Sequence, residues 1–179
     1  MKFGTLAFSE RDMTIEQFWK IVEKVHRASK GDMDAKCELL RKELRKLPAK
    51  EVNSFAERFT DCDATAYTWE LWAAAYIIGA GCWCSDDRFS DFRATLISMG
   101  RETFERIVVS PAAVVDTDLD ADNAFNEGYQ YVPGDVYEDI TGKDMPIYSK
   151  PYPKKPSGKK WTEKTVAELY PALRRKYGL

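Results

Sequence analysis

The sequence has few of the residues that metal sites and acid–base catalysis most often use. The chain of 179 residues has one histidine, His26, so sites with two or three imidazole ligands are excluded. Its four cysteines are not arranged as the paired CxxC knuckles of a structural zinc site. No nucleophile elbow, P-loop or dinucleotide fingerprint is present, and we expect no cofactor. The cysteines are Cys37, Cys62, Cys82 and Cys84.

Segments that would direct the chain into or across a membrane are also missing. Residues 1–13 mix charged and apolar side chains and contain neither an apolar core nor a small-residue cleavage site, which argues against a secretory signal. The uncharged run of residues 71–85 is shorter than the ~20 apolar residues that span a bilayer. We therefore expect a cytoplasmic protein with reduced cysteines and no membrane partner.

The chain does have the composition and periodicity of a globular helical protein. Hydrophobic residues make up 44%, charged residues 31%, and the net charge is −2, which excludes wholesale disorder. Apolar residues recur at helical spacing through most of residues 15–109, and no strand-like alternation or internal repeat is found. Gly31, Pro48, Gly100 and Pro111 separate the helical runs. The sequence predicts a single compact all-α domain of five to seven helices.

Charge and proline divide the chain into two parts. The acidic segment (residues 116–139) contains no lysine or arginine, whereas the C-terminal segment (residues 143–179) is rich in lysine and proline. We predict a helical core domain over residues 1–142. Residues 143–179 are predicted to be an extended Pro/Lys-rich connector and a C-terminal helix, kinked or split at Pro171, that pack on the core. Opposite charges predict that the C-terminal segment docks on the acidic segment, and the overall acidity argues against nucleic-acid binding.

Charged and aromatic side chains interleave most densely in residues 81–93 and shortly after them. Asp87 and Asp91 are four residues apart and share a helix face, and a charge buried among phenylalanines must be paired. Two interpretations stay open: structural ion pairs between helices, or a polar pocket that binds a ligand, with the acids as metal ligands or general bases. The candidate cluster is Asp86, Asp87, Asp91, Arg93 and Arg101.

Three other polar features were considered. A run of alternating acids places Glu127 twelfth from Asp116, as in a calcium loop, but Ala121 stands where that loop needs glycine. His26 ends the first predicted helix, where a positive charge favours the helix dipole. Lys36 is placed with the other bases on the polar face of the second helix. The calcium candidates are Asp116, Asp118, Asp120 and Glu127.

Several stretches between Trp72 and Arg101 resemble an uncharacterised bacterial family of domains of unknown function. Its members carry the pattern W..AY.I..GCSDD.F.DFR..LI..GR. The chain departs from it at Thr95, where the family has a large aromatic residue, and at Cys82-Trp83, where the family has two glycines. The resemblance implies a compact, mostly helical bacterial domain, and it implies no reaction. The matching stretches are Trp72–Gly79, Cys84–Asp87, Asp91–Arg93 and Leu96–Arg101, with further similarity in residues 126–142 and at Phe18-Trp19.

These observations favour a cytosolic bacterial module that binds or regulates another protein, for instance of the immunity type. The reasons are the missing catalytic constellation and the polarised charge, which steers association. The alternative is a small-ligand binder or enzyme with a pocket at the CSDD…DFR…GR motif, and a third hypothesis is calcium binding by residues 116–127. Whether the chain is an enzyme stays open, with the balance against, and the sequence specifies neither the partner nor the oligomeric state.

Overall fold

The structure is a computed structural model that describes residues 13–79, 84–148 and 150–178. In these residues the chain is all-α, as predicted, with two short 3-10 helices and no β-strand. There are more α-helices than the five to seven expected, because the acidic segment contributes α7 and Pro171 divides the last helix. The helices are α1 (Ile15–Ser29), α2 (Met33–Leu44), α3 (Ala49–Thr65), α4 (Trp69–Ile78), α5 (Asp86–Ser98), α6 (Arg101–Val109), α7 (Val132–Thr141), α8 (Glu163–Leu169) and α9 (Pro171–Tyr177); the 3-10 helices span Pro111–Asp116 and Tyr129–Tyr131.

Side-chain caps begin the helices where the sequence places hydroxyl or carboxylate residues. Thr14 and Gln17 form a capping box at the start of α1, and Asp32, Thr68 and Ser85 accept backbone N–H bonds at the starts of α2, α4 and α5. Cys82 and Trp83, and residues 1–12, whose composition argues against a secretory signal, lie outside the described residues. None of the described helices has the length and apolar character needed to cross a bilayer.

The core is aromatic and is centred on α4 and α5. The α4 helix is apolar on nearly every side, and Leu71 and Ile77 are fully buried, as is typical of a helix at the centre of a core. The Trp72 ring stacks on Phe89 of α5 with a centroid distance of 4.8 Å and on Trp69 at 5.3 Å. These stacked rings form one side of the surface on which the C-terminal segment packs.

The C-terminal segment packs along α3 and α4, and it reaches the acidic segment on which docking was predicted near its start, through backbone carbonyl oxygens of residues 115–119. Ser157 exchanges backbone hydrogen bonds of 2.9–3.0 Å with Trp69 and Tyr67, and Trp161 Nε1 donates to the Trp69 carbonyl at 2.8 Å. Lys150 pairs with Asp61 of α3 at 2.7 Å.

The acidic segment pairs instead with arginines of the core. Arg41 of α2 bonds Asp135 at 2.9 Å and Arg45 bonds Asp139 at 2.6 Å, because α2 and α7 pack side by side. From the C-terminal segment, Lys176 reaches residues 115–117 through backbone carbonyl oxygens rather than carboxylates.

Candidate functional site

Arg93 lies inside the core and is paired with a residue outside the predicted cluster. Its side chain is 5% exposed, and Nε and Nη2 donate to the two carboxylate oxygens of Asp63 at 2.8 and 3.3 Å. The guanidinium carbon lies 4.6 and 4.4 Å from the ring centroids of Tyr67 and Phe89. Tyr152 of the C-terminal segment donates its O–H to the same carboxylate. A bidentate pair stacked between two rings is typical of a structural arginine, although Nη1 has no partner among the described residues.

The acids of α5 make separate contacts. Asp86 accepts a hydrogen bond from Tyr67 at 3.2 Å, and Asp87 is exposed. Asp91 is partly buried and accepts a hydrogen bond from Gln130 Nε2 at 2.8 Å. Burial, followed by the charges of Glu127 and Asp87, raises the pKa of Asp91 to about 6. Asp91 is thus influenced more by burial and other acids than by the nearby arginines.

Arg101 lies at the far end of α5, beyond the Gly100 turn. It pairs with Glu105 of its own helix at 2.7 Å on the exposed surface. The five predicted residues therefore do not converge on one pocket. Arg93 has a structural pairing, while a ligand-binding role for the others stays a prediction.

The carboxylates of the predicted calcium loop also bond to different partners. Asp116 pairs with Arg106 at 3.3 Å, and Asp120 accepts the N–H groups of Asp122 and Asn123 at 2.9 and 3.0 Å. Within residues 13–79, 84–148 and 150–178, no three histidine, cysteine or acidic side chains come together to hold an ion. This geometry gives the calcium hypothesis no support.

A cavity of about 310 Å³ lies next to this loop; we call it the Lys36 cavity. Three basic side chains line it, from α1, α2 and α6: His26, Lys36 and Arg106. Two acids, Asp116 and Asp118, line it from the acidic loop. The apolar part of its wall includes Met33, Met99 and Leu119.

Lys36 is the least expected residue of this cavity. It is 2% exposed, and its ammonium donates to Ser98 Oγ at 3.0 Å, while no carboxylate of the described residues pairs with it. The Ser98 hydroxyl in turn donates to the Thr95 carbonyl at 2.7 Å. Burial lowers the pKa of Lys36 to about 8. Near neutral pH the chain therefore holds a buried positive charge that only a hydroxyl oxygen contacts.

His26 stands in the same wall, and the prediction of a favourable positive charge there is wrong. Burial, with the charges of Lys36 and Arg27, lowers the pKa of His26, so the imidazole is neutral at pH 7. Desolvation and two neighbouring cations outweigh the helix dipole at this position. The buried Nδ1 atom of His26 has no hydrogen-bond partner among the described residues.

The expected exposed position of Lys36 is also wrong, and the sequence contained a signal for the correct one. Lys36 is three residues after Met33 and four before Leu40, so it shares their helix face. Leu40 is fully buried. A lysine within an apolar stripe indicates a buried ammonium, whereas the many bases of α2 suggested a continuous polar face.

The free cysteines of the described residues are less reactive than ordinary thiols. Burial raises the pKa of Cys62 to about 12 and that of Cys84 to about 11, and it also raises the pKa of Cys37. A nucleophile or metal ligand needs the thiolate form, which these surroundings disfavour.

Fold and cavity together define a small all-α domain with one buried, unpaired cation in a cavity wall. The chain belongs to a family described as protein of unknown function (DUF4240), whose model matches residues 13–139. The resemblance to an uncharacterised family is confirmed at this level. No curated protein and no solved structure matches the chain. The matched region includes the Lys36 cavity and Arg93.

Proposed function

We propose that this chain is a bacterial, cytoplasmic binding module whose Lys36 cavity takes up a small anion. One observation carries the proposal: Lys36 is 2% exposed, has no carboxylate partner in the described part of the chain, and lines a cavity of about 310 Å³. A buried charge without a counter-charge destabilises a fold. An anion in the cavity supplies that counter-charge.

The buried part of the cavity wall supports an anion more than it supports a cation, because the second acid of the lining, Asp118, is exposed. Arg106 is already balanced by Asp116, so the uncompensated positive charge of the buried wall belongs to Lys36. The neutral His26 brings an unpartnered Nδ1 atom to the same wall, where one imidazole tautomer is a hydrogen-bond donor. We propose binding rather than catalysis.

The thermal midpoint measured with different anions tests this function. Sulfate, phosphate and acetate are compared with chloride at constant ionic strength, in wild-type protein and in Lys36→Met. A ligand that binds only the folded state raises the midpoint with a saturable concentration dependence. We expect that dependence in the wild type for at least one of the three anions and its loss in Lys36→Met.

The matched control is Lys42→Met, which removes an exposed lysine from the same helix. We expect Lys42→Met to respond to anions as the wild type does. If Lys36→Met keeps the response of the wild type, the anions act elsewhere and the proposal is wrong.

A second candidate function, the regulation of a protein partner, is favoured by an apolar groove. The groove has a volume of about 350 Å³, and Ile15, Trp19, Phe104 and Val108 line it together with Val109, which is 86% exposed. An exposed apolar groove of this kind is suited to an apolar side chain of a partner. An immunity-type module that masks its partner is one form of this function.

A photoreactive phenylalanine at Val109 tests the second function in bacterial cells. The control position is Ile147, which is 96% exposed and does not line the groove. A partner crosslinked only from position 109 is then purified and titrated. We expect Val109→Asp to weaken its binding by about tenfold or more and Ile147→Asp to leave it unchanged. Equal crosslinking from both positions contradicts a groove-specific partner.

A further inference from the structure

The lining of the Lys36 cavity includes a carboxylate without a charged partner, in addition to the ammonium of Lys36. Asp118 lines the cavity, and its exposed carboxylate has no hydrogen bond or ion pair from the described residues; only its backbone carbonyl accepts, from Asn123. Asp116, the other acid of the wall, is paired with Arg106. Lys36 and Asp118 therefore remain as two opposite charges that line one cavity, each without a charged partner among the described residues.

We propose that the ligand is a small amino acid, with its carboxylate on Lys36 and its ammonium group on Asp118. This inference rests on the proposed function, because it assigns a ligand class to the same cavity. A simple anion satisfies Lys36 but brings a negative charge towards Asp118. A zwitterion offers an opposite charge to each of the two residues.

The size and the apolar lining of the cavity indicate which amino acids fit it. A volume of about 310 Å³ lies at the small end of the ~300–1,000 Å³ range of ligand pockets, which suits a ligand of amino-acid size. Met33, Met99 and Leu119 line the cavity beside the charged groups. Methionine side chains adapt to aliphatic and thioether groups, so leucine and methionine are the ligands to test first.

Calorimetric titration with leucine and two analogues separates the two charged contacts. 4-Methylpentanoate is leucine without its ammonium group, and 3-methylbutylamine is leucine without its carboxylate. We expect leucine or methionine to bind wild-type protein, and leucine to bind about tenfold or more tightly than either analogue. Lys36→Met is expected to abolish the binding of leucine and of 4-methylpentanoate.

Asp118→Asn is the variant that decides between a zwitterion and a simple anion. We expect it to lower the affinity for leucine to that for 4-methylpentanoate, whose own affinity does not fall. Asp118 is exposed, so this variant keeps the fold. The matched control is Asp122→Asn, an exposed acid of the same loop that does not line the cavity, and it is expected to bind leucine as the wild type does.

Two outcomes overturn this inference and are distinguishable from each other. If wild-type protein binds 4-methylpentanoate as tightly as leucine, or if Asp118→Asn still discriminates between them, the ammonium contact is wrong and the anion site remains. If no anion and no amino acid binds in a manner that depends on Lys36, the proposed function fails and this inference fails with it.

Discussion

The ammonium of Lys36 is buried in the lining of the cavity, and among the described residues the Ser98 hydroxyl alone accepts a hydrogen bond from it. Methionine has a similar length and no charge. We therefore predict that Lys36→Met raises the free energy of unfolding by about 1–3 kcal/mol at pH 7 in buffer without a binding anion. Urea denaturation measures this difference. Lys42→Met, on the exposed face of α2, is expected to change it by less than about 0.5 kcal/mol.

Lys36 also makes the free energy of unfolding depend on pH. Burial lowers the pKa of Lys36 to about 8 in the folded chain, against about 10.4 in an unfolded chain. Between these values the unfolded state binds more protons than the folded state, so this residue makes the wild type more stable as the pH rises. We predict that the advantage of Lys36→Met is constant below pH 7 and shrinks between pH 8 and pH 10. A gap that does not change with pH contradicts a buried ammonium.

Asp91 gives the stability the opposite pH dependence: its contribution falls as the pH rises. Burial and the nearby acids raise its pKa to about 6, against about 3.9 in an unfolded chain. The stability that comes from its neutral form is complete below pH 4 and is lost as the pH rises through 6. Asparagine stays neutral and still accepts the bond from Gln130. Asp91→Asn is therefore predicted to be more stable than the wild type by about 1–2 kcal/mol at pH 7.

Urea denaturation at two pH values checks the prediction for Asp91. The gain at pH 7 is expected to disappear at pH 4, and a gain that persists there contradicts it. Asp87→Asn is the matched control in the first turn of the same helix. We expect it to lose rather than gain stability, because an acid at a helix N-terminus interacts favourably with the helix dipole.

At the scale of the elements, backbone hydrogen bonds attach Ser157 to the start of α4, and the next residue, Gly158, has a backbone conformation that favours glycine. Gly158 has φ +82°, and a Cβ atom there would overlap the carboxylate of Glu70, which accepts the Lys159 N–H at 3.0 Å. Gly158→Ala is therefore predicted to lower the free energy of unfolding by about 1–3 kcal/mol. Hydrogen exchange of the Ser157 and Lys159 amides is expected to accelerate.

Gly134→Ala is the control for this substitution. Gly134 lies in α7, and no described atom beyond its chain neighbours and the backbone of its own helix lies within 4 Å of a Cβ placed there. Alanine is the better helix former, so we expect Gly134→Ala to gain about 0.5–1 kcal/mol. If Gly158→Ala is as stable as the wild type, Glu70 moves aside freely and the backbone contacts do not fix this segment.

At the scale of the whole molecule, local patterns predicted the helices well and the long-range contacts poorly. The breaks at Gly31 and Pro48 follow from residues close in sequence, and the structure agrees. The sequence pattern did not predict the α7 helix, because acidic residues and a glycine interrupt the spacing of its apolar residues. A pair such as Arg93 and Asp63, 30 residues apart, depends on how α3 and α5 pack, and many other acids were equally available in the sequence.

The Arg93 guanidinium joins α5 to Asp63 of α3 and to Tyr152 of the C-terminal segment. Arg93→Ala leaves the Asp63 carboxylate, which is 13% exposed, without its counter-charge. We predict a loss of about 3–5 kcal/mol in the free energy of unfolding. Arg101→Ala, at an exposed pair within one helix, is expected to lose much less, because exposed ion pairs contribute little to stability.

Because Arg93 is shared between the core and the C-terminal segment, its loss is expected to act on both. Urea unfolding of Arg93→Ala followed by circular dichroism, and hydrogen exchange of the Ser157 and Lys159 amides, should therefore both report lower stability. If exchange of these amides stays at the wild-type rate while the core is destabilised, residues 143–179 are held independently of Arg93. If Arg93→Ala is as stable as Arg101→Ala, the buried pair contributes no net stability and a ligand-binding role for Arg93 regains support.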